Sequence, residues 1–389
     1  MARKSLFYLI TLGLIFIVFE AIGYFSIFLF DDLYDHREEV LGRIQELDLA
    51  KGRPHNLDSV LGWTYRGPDS RREANCQGTV VAYSFDQTGA RTYTGYDGTK
   101  AQIIVVGDSY THGSEAADDD AFPAQLAKIL DLSVANHAVG GYGPVQAFLN
   151  LKEKIELYPK AKVAILGMMY ENIFRMVNFY RPVLAEKSSE YRFKPYIKDG
   201  ALRPNPGSNA FQNLDAFLAC ANEAFDKDFW AKPRHKFPFS VSYIRALGAN
   251  YFYFKRLSRK LRKIGVPEYF LAYRSERFST ELLGLLRQYA AFAREKNLIP
   301  VVLFIPRDRY DTKSVSRFIE DNKASLPRGL VIGDVGSAEI DWDRYNLVET
   351  KAGKDVDFCH PSPYGYGKIA EYVAGLLKTN AHLVSPRPQ

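Results

Sequence analysis

The sequence predicts an α/β fold: a three-layer sandwich with a mostly parallel sheet, carried behind an N-terminal transmembrane helix. Three observations predict it. Strand-like runs alternate with helical spacings in two blocks of the chain, the pattern of a sheet covered by helices. The strand runs are apolar throughout, as strands buried on both faces are. A composition of 47% hydrophobic and 25% charged residues over 389 positions suits one large or two ordinary domains and excludes a disordered chain.

Taken in order, the first element is the membrane helix. Arg3 and Lys4 precede an apolar run, Leu6–Phe30, broken only by Glu20. The run is long enough to cross about 30 Å of hydrocarbon. It exceeds a signal-peptide core, and no small-x-small cleavage site follows it. Residues 1–31 therefore read as an anchor. The flanking positive charges place the N-terminus in the cytoplasm and everything after residue 31 outside, periplasmic or on an outer face. Glu20 reads as a protonated or snorkelling carboxyl near the outer interface, or as one with a partner inside the protein. Residues 32–57 are polar with helical spacing, a stalk. Residues 58–98 carry turns and short alternating segments, a β-rich lead-in that includes Leu61-Gly62-Trp63 and Tyr83-Ser84-Phe85.

The main domain spans 99–180 and 278–380. Ala101–Val106, Leu132–Ala135, Val163–Leu166, Ile299–Ile305 and Leu330–Ile332 read as strands. Phe122–Leu130, Pro144–Leu157, Thr280–Lys296, Ser314–Asn322 and Pro363–Leu377 read as helices, Pro144–Leu157 with Pro at its first turn. Between the blocks lies an insertion, 181–277, with a basic helix-like run at Phe239–Lys263. That run reads as a solvated face of a cap in preference to an amphipathic helix on an anionic membrane, because Arg245 and Asn250 interrupt its apolar face.

The chemistry-bearing residues stand at the ends of these blocks. The first strand runs into Gly107-Asp108-Ser109-Tyr110-Thr111-His112-Gly113. A serine just past a parallel strand lies where open α/β sheets hold their ligands. Near the other end comes Asp357-Phe358-Cys359-His360-Pro361. A hydroxyl nucleophile needs a base, and the base needs an orienting carboxylate; Asp357 and His360 on one loop supply both. Asp108 reads as a loop-holding residue, His112 and His137 as satisfied loop residues, and Asp118-Asp119-Asp120 as a helix cap with solvated charges. Cys359 reads as a small buried residue. Cys76 and Cys220 are one available pair, and three unpaired thiols is the other reading. No CxxC pair or HExxH element is present, so no metal or other cofactor is expected.

These residues resemble the SGNH hydrolase family, also called GDSL-like, in its membrane-anchored bacterial form. The serine motif matches at GDSYTHG. The glycine block resembles Asn136–Gly143, with Gly141 at the oxyanion position and Gly140 one residue away. The asparagine block ends the third strand, where Asn172 matches although Glu171 and Ile173 depart from the pattern. The last block, DFCHPSPYGYGKIA, supplies Asp357 and His360. The resemblance covers about 58–180 and 280–380 and implies a flavodoxin-like sheet. It further implies a Ser109–His360–Asp357 triad and an oxyanion hole of Ser109, Gly141 and Asn172. The expected activity is that of an extracytoplasmic serine esterase or O-acyltransferase on an acyl, most simply acetyl, ester of a cell-envelope glycan. A lipase or lysophospholipase at the membrane surface is the alternative within enzymes. A non-catalytic envelope-assembly protein is the alternative outside them. The expected partners are an acylated glycan or lipid substrate, the membrane and, for transfer, an acyl-transporting membrane protein. A net charge of +6 is an ordinary basic surface, and no motif points to nucleic acid.

Overall fold

The computed structural model describes residues 2–46, 56–185, 187–189, 191–210, 213–267, 269–309, 313–351 and 354–380; side chains at 349–358 lie outside the described residues. The chain forms two compact units. One comprises 1–53, 178–193 and 206–264, the other 54–177, 194–205 and 265–389.

The second unit is built on five strands: β1 (Ala101–Val106), β2 (Ser133–Asn136), β3 (Val163–Met169), β4 (Ile299–Ile305) and β5 (Val331–Asp334). All their pairings are parallel, in the order β5-β4-β3-β1-β2. The chain thus starts in the sheet at β1, steps to one side for β2 and returns past β1 for β3. The β1/β3 boundary is the switch point, where adjacent connections diverge and open a crevice at the carboxyl ends.

Helices cover both faces. Phe122 and Leu126 of α2 (Phe122–Leu130) and Tyr366, Ile369 and Val373 of α6 (Pro363–Thr379) pack on Ile103, Val105, Ile165, Val301 and Leu303. The opposite face, with Ile104, Leu166, Val302 and Phe304 at 0% exposure, is covered by α3 (Pro144–Lys154) and α4 (Glu276–Glu295). Tyr289 of α4 donates its hydroxyl to the Ala164 carbonyl at 2.7 Å, and its ring meets Phe148 of α3 edge-on. The remaining helix of this layer set, α5 (Ser314–Asp321), buries Val315 and Phe318.

One element differs from expectation. The segment before α6 is a hairpin, not a loop: β6 (Asn346–Lys351) pairs antiparallel with β7 (Lys354–Pro361). β-Branched and aromatic residues in LVET and DVDF favour the extended form once paired. In the lead-in, Asp69–Ala74 and Val80–Phe85 form a second hairpin, and Arg91 bridges it to Asn136 of β2.

The first unit contains α1 (Ala2–Phe30). Arg3–Leu33, with mean hydropathy 2.3, is long and apolar enough to cross a membrane, alone among the described residues. The residues after it fold against the insertion. Helix Arg37–Gln45 buries Val40 and Ile44, and buried Arg37 pairs with Asp35 at 2.8 Å and Asp226 at 2.6 Å. The insertion's basic run is not one helix: Phe239–Gly248 is followed by a π-helical turn, Tyr251–Arg256, and by Leu257–Arg262.

Candidate active site

The site begins at the carboxyl end of β1. Asp108 leaves the strand in extended conformation and caps the helical turn Ser109–His112, accepting from Tyr110 N at 2.8 Å and Thr111 N at 3.2 Å. Its other oxygen accepts from Met169 N at 2.7 Å and from the Asn172 side-chain amide. Burial pushes the Asp108 carboxyl up, while these donors and the Arg175 charge oppose the shift. The turn presses on the sheet through Thr111. A Cβ on Gly107 or Gly167 would come within 2.3 Å of the Thr111 hydroxyl, so neither position admits a side chain. Ser109 is half-buried at the head of this turn.

The chain after Ser109 is held by Arg91, which is 1% exposed. Its guanidinium donates to the carbonyls of His112, Gly113 and Ala116 at 2.7–2.9 Å, pairs with Asp118 at 2.8 Å and lies over the Tyr83 ring. The acidic triplet is tied to the lead-in: Asp118 takes Arg91 and Asp119 takes Thr94. The expected side-chain cap is absent, because Ala121 occupies the N-cap of α2.

A cleft of about 340 Å3 opens beside Ser109. It is lined by Ser109, Glu115, Glu171, Arg175, Arg307 and His360, with the Cys76–Cys359 disulfide in its wall. The structure thus brings Ser109 and His360 to one cleft from chain positions 251 residues apart. Glu115 Oε1 stands 3.3 Å from His360 Nδ1 without a formed hydrogen bond, and Oε2 accepts from the His360 amide at 3.4 Å. Burial works against the Glu115 carboxylate, but His360 and the Cys76 amide hold it below the ordinary range. Glu115 has φ of 66°, a left-handed conformation rare for a side-chain-bearing residue and typical of functional sites. Nothing in the sequence pattern singled it out. Asp357 pairs through its backbone with Glu349 in the hairpin; its side chain lies outside the described residues.

The disulfide corrects the cysteine reading. Cys76, in the turn of the lead-in hairpin, joins Cys359, and Cys220 is the free thiol. Cys359 is accordingly not a buried filler: it ties the residue before His360 to the lead-in.

Asn172 opens the short helix Asn172–Met176 after β3 and is 1% exposed. Its Nδ2 is engaged by Asp108. Gly141 lies in the β2–α3 loop with φ of 80°, available at no strain only to glycine. Trp63 Nε1 donates to the adjacent Gly140 carbonyl at 3.0 Å, and Tyr142 OH donates to the Trp63 carbonyl at 2.5 Å. The lead-in LGW segment thereby positions this loop. His112 and His137 do not line the cleft. His112 is buried among Tyr65, Tyr83 and Phe85, and His137 Nε2 meets Tyr158 OH at 2.7 Å.

No family model matches the sequence, and no curated protein matches it. Among solved structures the chain is similar to a G-D-S-L family lipolytic protein from Desulfitobacterium hafniense DCB-2 and to TesA. Each aligns at 11% identity and TM-score 0.33, over 71% of this chain and 98% of the other. It is also similar to an acetyl xylan esterase from Butyrivibrio proteoclasticus, at 10% identity and TM-score 0.32, over 73% of this chain and 65% of the other. At these values the chemistry has to be read from the side chains of this chain.

Proposed function

We propose that the protein is a serine ester hydrolase or O-acyltransferase of the SGNH type, anchored by α1 with its catalytic unit outside the cytoplasm, acting on an acyl ester of a cell-envelope glycan. The observation that carries this reading is the shared cleft of Ser109 and His360 at the β1/β3 switch point. In this reading His360 takes the Ser109 proton as Oγ attacks the acyl carbon, then returns a proton to the leaving oxygen. The Ser109 and Gly141 N–H groups and the Asn172 amide receive the oxyanion. An amide nitrogen carries two hydrogens, so the bond to Asp108 leaves one for substrate. Asp357 is proposed from the motif as the group orienting His360, and Glu115 from its place beside Nδ1. Water resolves the acyl-enzyme in hydrolysis, a sugar hydroxyl in transfer; transfer also needs a partner that delivers an acyl donor across the membrane. The Arg3/Lys4 flank and the Cys76–Cys359 disulfide both suit an extracytoplasmic, oxidising location.

The test is covalent labelling of the full chain in detergent by a fluorophosphonate serine probe. Labelling at Ser109, lost in Ser109→Ala and strongly slowed in His360→Ala, is expected. A wild-type protein that takes no label under conditions where a control esterase does would overturn the reading. Nitrophenyl esters of increasing chain length then separate acetyl from long-chain specificity.

A further inference from the structure

Within the first unit, helix Phe239–Gly248 is built the wrong way round for a helix in water. Its buried residues are Ser242 and Ala246, while Val241, Ile244 and Leu247 are exposed at 41%, 65% and 37%. Phe237, just before it, is 65% exposed and continues the stripe. A helix that hides its small residues and shows its large apolar ones suits an apolar surrounding.

This helix is fixed to α1. Glu20 does what no residue of the helix itself does: it caps the N-terminus, accepting from Phe239 N at 2.7 Å, Ser240 N at 3.2 Å and the Ser240 hydroxyl. A Cβ on Gly23 would fall within 2.5 Å of the Phe239 backbone, so the two helices meet at glycine. Phe30 stacks on Tyr243, and between α1 and Tyr243 runs an apolar groove of about 460 Å3 lined by Val18, Ile22, Phe25 and Leu29. At 1.5 Å per residue Glu20 stands roughly 24 Å along the helix from Lys4, near the far side of a hydrocarbon core about 30 Å thick. Just past α1, Asp32 binds Arg256 and Arg259, which fixes the basic run at the outer end of the span. Lys260 and Lys263 are exposed there.

We propose that Phe239–Gly248 is a second membrane-contacting element, lying beside α1 at the outer boundary of the bilayer. Its Val241, Ile244 and Leu247 face lies among acyl chains. The groove holds a phospholipid acyl chain, and the anionic headgroup meets Arg259, Lys260 and Lys263. Continuity with the exposed apolar surface of α1 and the adjoining positive charge argue for phospholipid as the occupant. Arg245, exposed on the same helix, reaches the headgroups through its aliphatic stem. The inference rests on α1 spanning a membrane and not on the esterase chemistry.

The experiment uses the full chain with Cys220→Ser and the Cys76–Cys359 disulfide intact, in nanodiscs of phosphatidylcholine and phosphatidylglycerol. Single spin labels are placed at Ile244→Cys, at Phe16→Cys in the middle of α1, and at Lys323→Cys in the second unit. Collision with oxygen is compared with collision with a water-soluble nickel chelate. Ile244 is expected to collide with nickel roughly tenfold less than Lys323, as Phe16 does. Immersed Phe16 with Ile244 as nickel-accessible as Lys323 would overturn the proposal; nickel-accessible Phe16 would overturn the anchor as well. A Lys260→Glu/Lys263→Glu variant should retain several-fold less phosphatidylglycerol through detergent purification, and equal retention would overturn the headgroup assignment. Serine-probe labelling of each variant reports separately on the catalytic reading.

Discussion

Ser109 owes its position to its neighbours. Asp108 accepts four hydrogen bonds, from the turn it caps, from β3 and from Asn172. It therefore acts as the clasp between the serine turn and the asparagine turn, as the sequence suggested for it. Asn172→Ala removes one strut of that clasp and, in the proposed mechanism, an oxyanion donor. The expected result on a small ester is a fall in kcat of about 10²–10³ with little change in KM. Unchanged kcat in a folded variant would show that the hole is built from other groups. The orienting carboxylate is tested by a pair of variants. With Glu115 beside His360 Nδ1 and proposed to orient it, Glu115→Gln is expected to lower kcat by about 10⁴-fold, the loss a triad carboxylate shows when it becomes an amide. Asp357→Asn measured beside it assigns the role: a loss confined to Asp357→Asn returns it to the motif residue. That Ser109 and His360 would meet was legible, because one follows an apolar strand and the other stands in a motif. Glu115 was not, since a left-handed glutamate in a turn has no spacing that betrays it.

At the scale of elements, β1 and β4 have the bounds their continuous apolar runs suggested, Ala101–Val106 and Ile299–Ile305. β3 runs three residues past its apparent end, through Gly167-Met168-Met169. Gly167 looks like a strand breaker, yet it is required there to admit Thr111. The β6–β7 hairpin was hidden because its pairing, not its own periodicity, makes it a strand pair. The cysteine pairing was equally hidden, because Cys76 and Cys359 are 283 residues apart and are joined only by the tertiary fold. Their bond fixes the strand that carries His360. Replacing both by serine is expected to cost roughly 5–6 kcal/mol of stability by chain entropy, the loop being so long. Because the disulfide also forms a wall of the cleft, kcat should fall several-fold in the protein that remains folded at low temperature. Thermal melts and ester kinetics of the double variant check this. A variant with unchanged melting and kcat would show that the bond neither braces the fold nor shapes the cleft.

Across the whole second unit, two buried histidines tie stability to pH. Desolvation lowers His112 well below its ordinary value and His137 to about 3, with Lys154 adding to the effect at His137 and Asp86 opposing it. Both are neutral in the folded state near neutral pH, while the unfolded chain takes up protons at its ordinary value near 6.5. The unfolded state therefore binds more protons between about 3 and 6.5, and stability falls as pH falls through that window. From His137 alone the slope approaches about 1.4 kcal/mol per pH unit below 6.5. Glu115 has the depressed carboxylate sign. Its contribution is present above its ordinary value near 4.5 and is lost below it, so it does not disturb the range from 6.5 to 4.5. Asp108 has the opposite sign: burial raises it, and protonation favours the folded state as pH falls. A difference measurement removes this background. His137→Gln keeps a hydrogen-bonding group toward Tyr158 and cannot titrate. Its melting temperature, compared with wild type from pH 7.5 to 4.5 in one detergent, should start lower or equal and gain steadily on wild type below 6.5. Parallel curves across that range would mean that His137 takes up its proton in the folded protein as readily as in the unfolded chain, and the acid sensitivity would then belong to His112 and the carboxylates.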